Sequence, residues 1–154
     1  MEKTLILIKP DAFQRALVGT IIARLERKGL KIIAAKMMLM TDEILENHYS
    51  HLVHLAFFPE LKQFMTSGPV MAIALEGCDC IKTVRTICGT TKGREAKPGT
   101  IRGDYAMSIR CNLIHASEDY KTAEKELKLF FPNDDFFGYE FNNLNSIYGS
   151  EEKE

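Results

Sequence analysis

The chain has 154 residues, 45% of them hydrophobic and 27% charged, with a formal net charge of −1. These are the proportions of an ordinary globular protein of one-domain size, and we expect a single domain across 1–154. The near-neutral balance excludes a broad basic footprint for nucleic acid, so any anion site is built locally. No apolar stretch reaches membrane length, and Met1-Glu2-Lys3-Thr4 runs into an apolar segment without a basic leader or cleavage signal; the expectation is no membrane and a cytoplasmic location.

Thr4 to Ile8 is an apolar run ended by Lys9-Pro10-Asp11, which predicts a buried central strand stopped at the proline. Val18, Ile21, Ile22 and Leu25 keep the i, i+3, i+4, i+7 spacing of an amphipathic helix, with Gly29 just past its end. Leu30 to Leu39 reads as a second strand, followed by an insertion with helical character from about Thr41 to Thr66. Within it His48, His51 and His54 recur every three residues, which on a helix forms one flank, either a solvated face or a metal comb. Val70 to Leu75 reads as a third strand, Ile81 to Cys88 as a short helix, and Met107 to Ile114 as a fourth strand with Met107, Ile109, Cys111 and Leu113 on one face. A helix is expected from about Ser117 to Phe131, and fraying from Gly149 onward. Cys78 and Cys80 form a C-x-C pair without the second half of a zinc site, while Cys88 and Cys111 read as reduced, small core residues.

Setting aside the insertion and the last helix, the order is β-α-β-β-α-β. The expected class is α+β, a ferredoxin-like four-stranded antiparallel sheet with two helices over one face, a helical insertion and a C-terminal helix. Many unrelated functions use that plan, so the chemistry must come from particular residues.

Two segments carry chemistry. Gly89 to Asp104 holds four glycines, three threonines, one proline and four basic residues without hydrophobic periodicity. It reads as a long loop, either a turn-rich solvated surface or a polyphosphate cradle in which hydroxyls and arginine forks meet phosphate oxygens. It is not a Walker A loop. In Asn112-Leu113-Ile114-His115-Ala116-Ser117 a lone histidine closes a strand as a helix begins, with Ser117, Glu118 and Asp119 suited to a helix start. A histidine there is either a structural residue or a phosphoryl nucleophile, since a neutral imidazole has one nitrogen free to attack while the other is held by a hydrogen bond. Glu126, about two and a half turns down the helix, is a candidate for holding it or an ordinary solvated glutamate.

Ile8-Lys9-Pro10-Asp11, Pro98-Gly99-Thr100-Ile101-Arg102-Gly103-Asp104 and Asn112 to Ser117, in that order and spacing, resemble the nucleoside diphosphate kinase family over about Lys3 to Tyr148. The resemblance implies the ferredoxin-like core and transfer of a γ-phosphoryl group from a nucleoside triphosphate to a nucleoside diphosphate, ping-pong, through a phosphohistidine on His115. It also implies His115 as nucleophile supported by Glu126 and Ser117, Tyr49 beside it, Arg85, Thr91 and Arg102 on the phosphates, and Lys9 and Asn112 on the ribose and the phosphate nearest it. Phe57 and Ile109 would sandwich the base near Leu61, giving broad base specificity, and Mg²⁺ would arrive bound mainly through nucleotide phosphates, with no metal site made by the protein. Read without the resemblance, Phe57, Phe58 and Leu61 serve equally as core anchors, Lys9 as an exposed strand end and Arg85 as a solvated helix residue.

The family forms homo-oligomers, and a tail reaching residue 154 favours its hexamer over its tetramer. Departures from the family pattern are Ala116 for glycine, Glu118 for aspartate, His51, Leu55 and Ala56 for an acidic residue, a basic residue and a proline, Gly93 for a proline, Ser146 for a tryptophan and Gly149 for a glutamate. They predict a looser helical hairpin, a looser phosphate loop and altered contacts between subunits. Two rival readings are a ferredoxin-like nucleotide-binding regulatory module with weak catalysis and a single-stranded nucleic-acid binder; the latter lacks paired aromatic motifs and a basic charge. Strict alternation along one strand also puts Asn112 and His115 on opposite faces, so both reach one nucleotide only if the strand twists or ends near Ile114.

Overall fold

The computed structural model describes residues 1–140 and 144–152. Four antiparallel strands, β1 (Glu2–Ile8), β2 (Lys31–Met38), β3 (Val70–Gly77) and β4 (Ile114–Ala116), form one sheet in the order β2-β3-β1-β4. Thr4 to Ile8 are fully buried, because β1 lies between β3 and β4 and both of its faces are covered. Leu5 and Leu7 pack with the insertion helices α3 (Asp42–His48) and α4 (Phe58–Met65) and with Phe130 of α7 (Tyr120–Phe130), while Ile6 and Ile8 pack with α2 (Val18–Arg27) and α5 (Cys80–Cys88). The expected architecture is present, with a second layer that the plan of two helices over one face leaves out.

Local chemistry sets most boundaries. Pro10 does more than stop β1: it opens a short helix, α1 (Pro10–Gln14), at the first helical position where its missing N–H costs nothing. Gly29, at φ +98, ends α2 in a backbone region that side chains disfavour. Thr41 and Asp119 cap α3 and α7 by accepting from the amides of Ile44 (3.2 Å) and Thr122 (2.8 Å).

Three expectations change. The segment 107–113 is irregular, and β4 begins only at Ile114. Leu113 adopts φ +73, where a ladder cannot continue; its amide donates to Asp11 Oδ2 (3.1 Å) and its carbonyl accepts from the Lys9 amide (2.9 Å). The alternating apolar residues did not mark a buried face: Leu113 is buried, but Met107, Ile109 and Cys111 are exposed, so Cys111 is no core residue. Second, the stretch 89–104 contains a 3₁₀ turn (Gly93–Glu95), and α6 (Ile101–Tyr105) starts within it, capped by Thr100, too short for periodicity to reveal. Third, Gly93 tightens that stretch rather than loosening it. Its amide donates to the Ser108 carbonyl (3.2 Å), which a proline cannot do, and any Cβ would overlap the Ala106 carbonyl oxygen.

The histidine series is broken too. α3 ends at His48, which is buried, whereas His51 and His54 lie in the following turns, exposed, so neither a solvated flank nor a metal comb forms. Near the end α8 (Leu144–Ile147) forms, a 3₁₀ turn (Ser150–Glu152) stands within the stretch from Gly149 where fraying was expected, and the Tyr148 hydroxyl accepts from the Cys78 amide (3.3 Å). Residues 153 and 154 of that expectation lie outside the described ones. Ser146 and Gly149 are exposed. Among the described residues no helix is long and apolar enough to cross a membrane.

Candidate active site

A cleft of about 600 Å³ opens where β1 ends, between α7, the insertion and the 107–113 segment. Every residue that the resemblance assigned to the nucleotide site lines it except Ser117, which lies beneath its floor. The left-handed turn at Leu113 explains how: Asn112 precedes the strand and is freed from its alternation, so it faces the same cleft as His115.

At the floor, His115 Nε2 lies 2.9 and 3.0 Å from the two Glu126 oxygens. An ionised carboxylate only accepts, so Nε2–H donates and, in the neutral ring, Nδ1 carries the free lone pair. The Ser117 hydroxyl donates to Glu126 Oε2 at 2.6 Å while its oxygen accepts from the Leu5 amide at 3.3 Å, fixing the carboxylate to β1. Glu126 is therefore buried and occupied, not a solvated helix glutamate.

Beside this chain Lys9 is buried as well, its Nζ donating to Asn112 Oδ1 at 2.7 Å. Burial, and next the Arg102 charge, lower its pKa to about 8. The Asn112 amide nitrogen donates to the carbonyls of Thr91 and Ile109, both at 2.9 Å. Arg102 is buried with its Nη groups donating to the carbonyls of Gly89 and Ile114, each at 2.6 Å, and its Nε–H has no protein partner. Arg102 thus braces the fold as well as facing the cleft. Arg85, on α5, and Thr91 are exposed at the rim. Lys9, Arg85, Arg102 and Arg110 outnumber the lining carboxylates Glu118 and Glu126, so the cleft favours anions.

The insertion supplies the opposite wall. Phe57 (44% exposed) and Ile109 (60% exposed) stand at the mouth, while Leu61 and Phe58 are buried. Phe58 and Leu61 are core anchors; Phe57 is not. Tyr49 is buried with its ring centroid 6.5 Å from that of His115, and burial raises its phenol pKa.

The sequence reading missed His48. Its ring stands edge-on to His115 at 4.6 Å and packs against Tyr49 and Phe130. Nδ1 is 3.4 Å from Glu126 Oε1 without a hydrogen bond, and both ring nitrogens are buried and unpartnered. Burial, reinforced by the charges of His115 and Lys9, holds its pKa well below the usual histidine value. The available signal was its adjacency to Tyr49. Arg110, Glu118, Thr122 and His51 also line the cleft without having been assigned to it.

Similarity to known proteins agrees with this geometry. The family model for nucleoside diphosphate kinase matches residues 2–136. The chain belongs to the nucleoside diphosphate kinase family. It is 51% identical to a nucleoside diphosphate kinase of Parabacteroides distasonis over 99% of both chains, and 47% identical to one of Archaeoglobus fulgidus over 96% of this chain and 98% of that one. Among solved structures, the Halobacterium salinarum nucleoside diphosphate kinase in complex with CDP superposes with a TM-score of 0.93 at 41% identity, covering 96% of this chain and 99% of that one. The Encephalitozoon cuniculi enzyme superposes with a TM-score of 0.92 at 44% identity over 96% of this chain and 100% of that one. As a nucleoside diphosphate kinase the protein is a phosphotransferase acting between nucleotides.

Proposed function

We propose that the protein moves the γ-phosphoryl group of a nucleoside triphosphate to a nucleoside diphosphate in two half-reactions through His115. The observation that carries this reading is the hydrogen-bonded chain from Ser117 through Glu126 to His115 Nε2, at the floor of a cleft lined by more cations than carboxylates. The Nδ1 lone pair attacks the γ-phosphorus, the bond from that phosphorus to the bridging oxygen breaks, and the nucleoside diphosphate departs with the electron pair. Glu126, accepting from Nε2–H, stabilises the positive charge that the ring gains. A second nucleoside diphosphate takes the phosphoryl group by the reverse step, restoring neutral His115.

Lys9 and Asn112 act on the ribose and adjacent phosphate, Lys9 adding a charge close to the reacting group. Arg85, Thr91 and Arg102 hold phosphate oxygens, and the unpartnered Nε–H of Arg102 is a donor left for an anion. Tyr49 packs beside the nucleophile. Phe57, Leu61 and Ile109 enclose the base with apolar surface, which supports acceptance of purines and pyrimidines alike.

Mg²⁺ prefers oxygen ligands in an octahedron. Both Glu126 oxygens are engaged, and the potential ligand atoms of His48, His115 and Glu126, within 4.8 Å of one another, comprise two imidazoles and one carboxylate, a set suited to softer metals. The residues fit an ion held mainly by the nucleotide phosphates, with Glu118 the carboxylate left on the lining. When bound there, Mg²⁺ neutralises phosphate charge.

The same reading includes one domain across 1–154, a cytoplasmic location and a homo-oligomer, with the hexamer favoured over the tetramer. Exposed Met37 on edge strand β2 and Leu39 just beyond it offer apolar surface for such an assembly. Hydrodynamic mass tests the assembly. For the chemistry, incubation with γ-labelled ATP and Mg²⁺ is expected to leave acid-labile, alkali-stable label that added nucleoside diphosphate discharges. Labelling of His115→Ala at the wild-type level would overturn the mechanism.

A further inference from the structure

The walls of the proposed base slot belong to separately anchored elements. Phe57 and Leu61 belong to the start of α4, which Lys62 ties to α3 through Asp42 (2.8 Å) and Glu46 (3.2 Å). Ile109 belongs to the 107–113 segment, tied to the phosphate-loop side by Asn112 on the Thr91 carbonyl and by the Gly93 amide on the Ser108 carbonyl. Glu60, in the first turn of α4, and Arg110, next to Ile109, meet as an ion pair between the two walls. Among the described residues no other hydrogen bond or ion pair joins α4 to this segment.

We propose that the Glu60–Arg110 pair is a latch on the base slot. Closed, it holds Phe57 and Leu61 opposite Ile109 at the spacing a base fills; open, it lets the nucleotide pass. Arg110 lines the cleft, so the pair is continuous with the space the nucleotide would occupy. Its side chains are 35% and 65% exposed, Arg110 first, and an exposed pair is weak and screened by salt. That weakness suits a contact that must open once per half-reaction, where a buried pair would trap the product. Glu60 and Arg110 are positioning residues: they act on the base through the walls that they join, which makes the latch a determinant of nucleotide affinity rather than of phosphoryl transfer. This inference rests on the nucleotide reading of the cleft.

The test compares the intact protein with Arg110→Met, Glu60→Gln and the charge exchange Glu60→Lys with Arg110→Glu. ADP binding is measured by calorimetry, with inorganic tripolyphosphate as a base-free probe, and steady-state kinetics separate KM from kcat. Each single variant is expected to raise the Kd and KM for ADP about three- to fivefold, the effect of losing one exposed ion pair. Tripolyphosphate binding should weaken less than ADP binding in Arg110→Met, which also removes one cation from the cleft, and should not weaken in Glu60→Gln; the loss should fall on KM more than on kcat, and the exchange should recover most of the ADP affinity. Equal ADP affinity in all four proteins would overturn the latch. So would a loss confined to Arg110→Met, which would mean direct contact between Arg110 and the nucleotide, or an exchange that restores nothing. If wild-type protein neither takes label from ATP nor binds ADP, the nucleotide reading itself fails. If it does both and the variants match it, only the latch fails.

Discussion

At the floor of the cleft, Lys9, Arg102, Asn112, Ser117 and Glu126 are buried and each is hydrogen-bonded to another part of the chain, with His115 half-buried among them. At the mouth, Phe57 and Ile109 are exposed on two elements that share one exposed ion pair. The proposed phosphoryl transfer through His115 needs a nucleophile held to within tenths of an ångström, and bonds between distant segments of the sheet and α7 hold that side chain. Recognition of any base needs only apolar walls that yield, and walls with few cross-links yield at low cost.

Glu126→Gln strikes the floor and has the largest expected effect. The amide keeps an acceptor oxygen but loses the charge that balances the imidazolium, so rapid-quench phosphoenzyme formation should slow by about a hundredfold. A rate within about threefold of wild type would show that the floor is not organised through Glu126. Phe57→Ala strikes the mouth. It should raise KM by about tenfold through lost stacking while kcat and Tm stay near wild type. A matching fall in kcat would mean that floor and mouth act as one unit, erasing the distinction between them.

The smallest effect concerns pH. Burial keeps His48 neutral in the fold, whereas the unfolded chain takes up a proton below about pH 6.5. Its contribution to stability is therefore complete above that value and is lost as the pH falls toward the lowered native pKa. His48→Phe, which keeps a ring against Tyr49 and Phe130, should show a smaller drop in Tm between about pH 7 and about pH 5 than wild type. Equal drops would place the acid sensitivity of the floor elsewhere.

His115 was legible because its residue type at a strand end before an acidic helix start is unusual, and the three ordered motifs around it are specific. Lys9 and Asn112 were legible only as motif members. Their bond spans 103 positions of sequence, and no local pattern announces it. Periodicity failed where one backbone torsion decided the outcome: Leu113 turns left-handed, and an apparent strand of alternating residues becomes the exposed lip of the cleft. His48 was misread because the helix ends there, so the three-residue spacing that linked it to His51 and His54 ceased to describe neighbours.

The sequence alone was enough for most of the larger elements, their order, the family and the candidate nucleophile, since hydrophobic spacing, caps and motifs are properties of adjacent residues. Only the tertiary structure decided that Asn112 faces His115, that Arg102 braces two carbonyls, that His48 packs on His115 and that Glu60 reaches Arg110. Each of those contacts joins segments whose meeting depends on how the sheet and its two covering layers close, a condition that no single stretch of chain encodes.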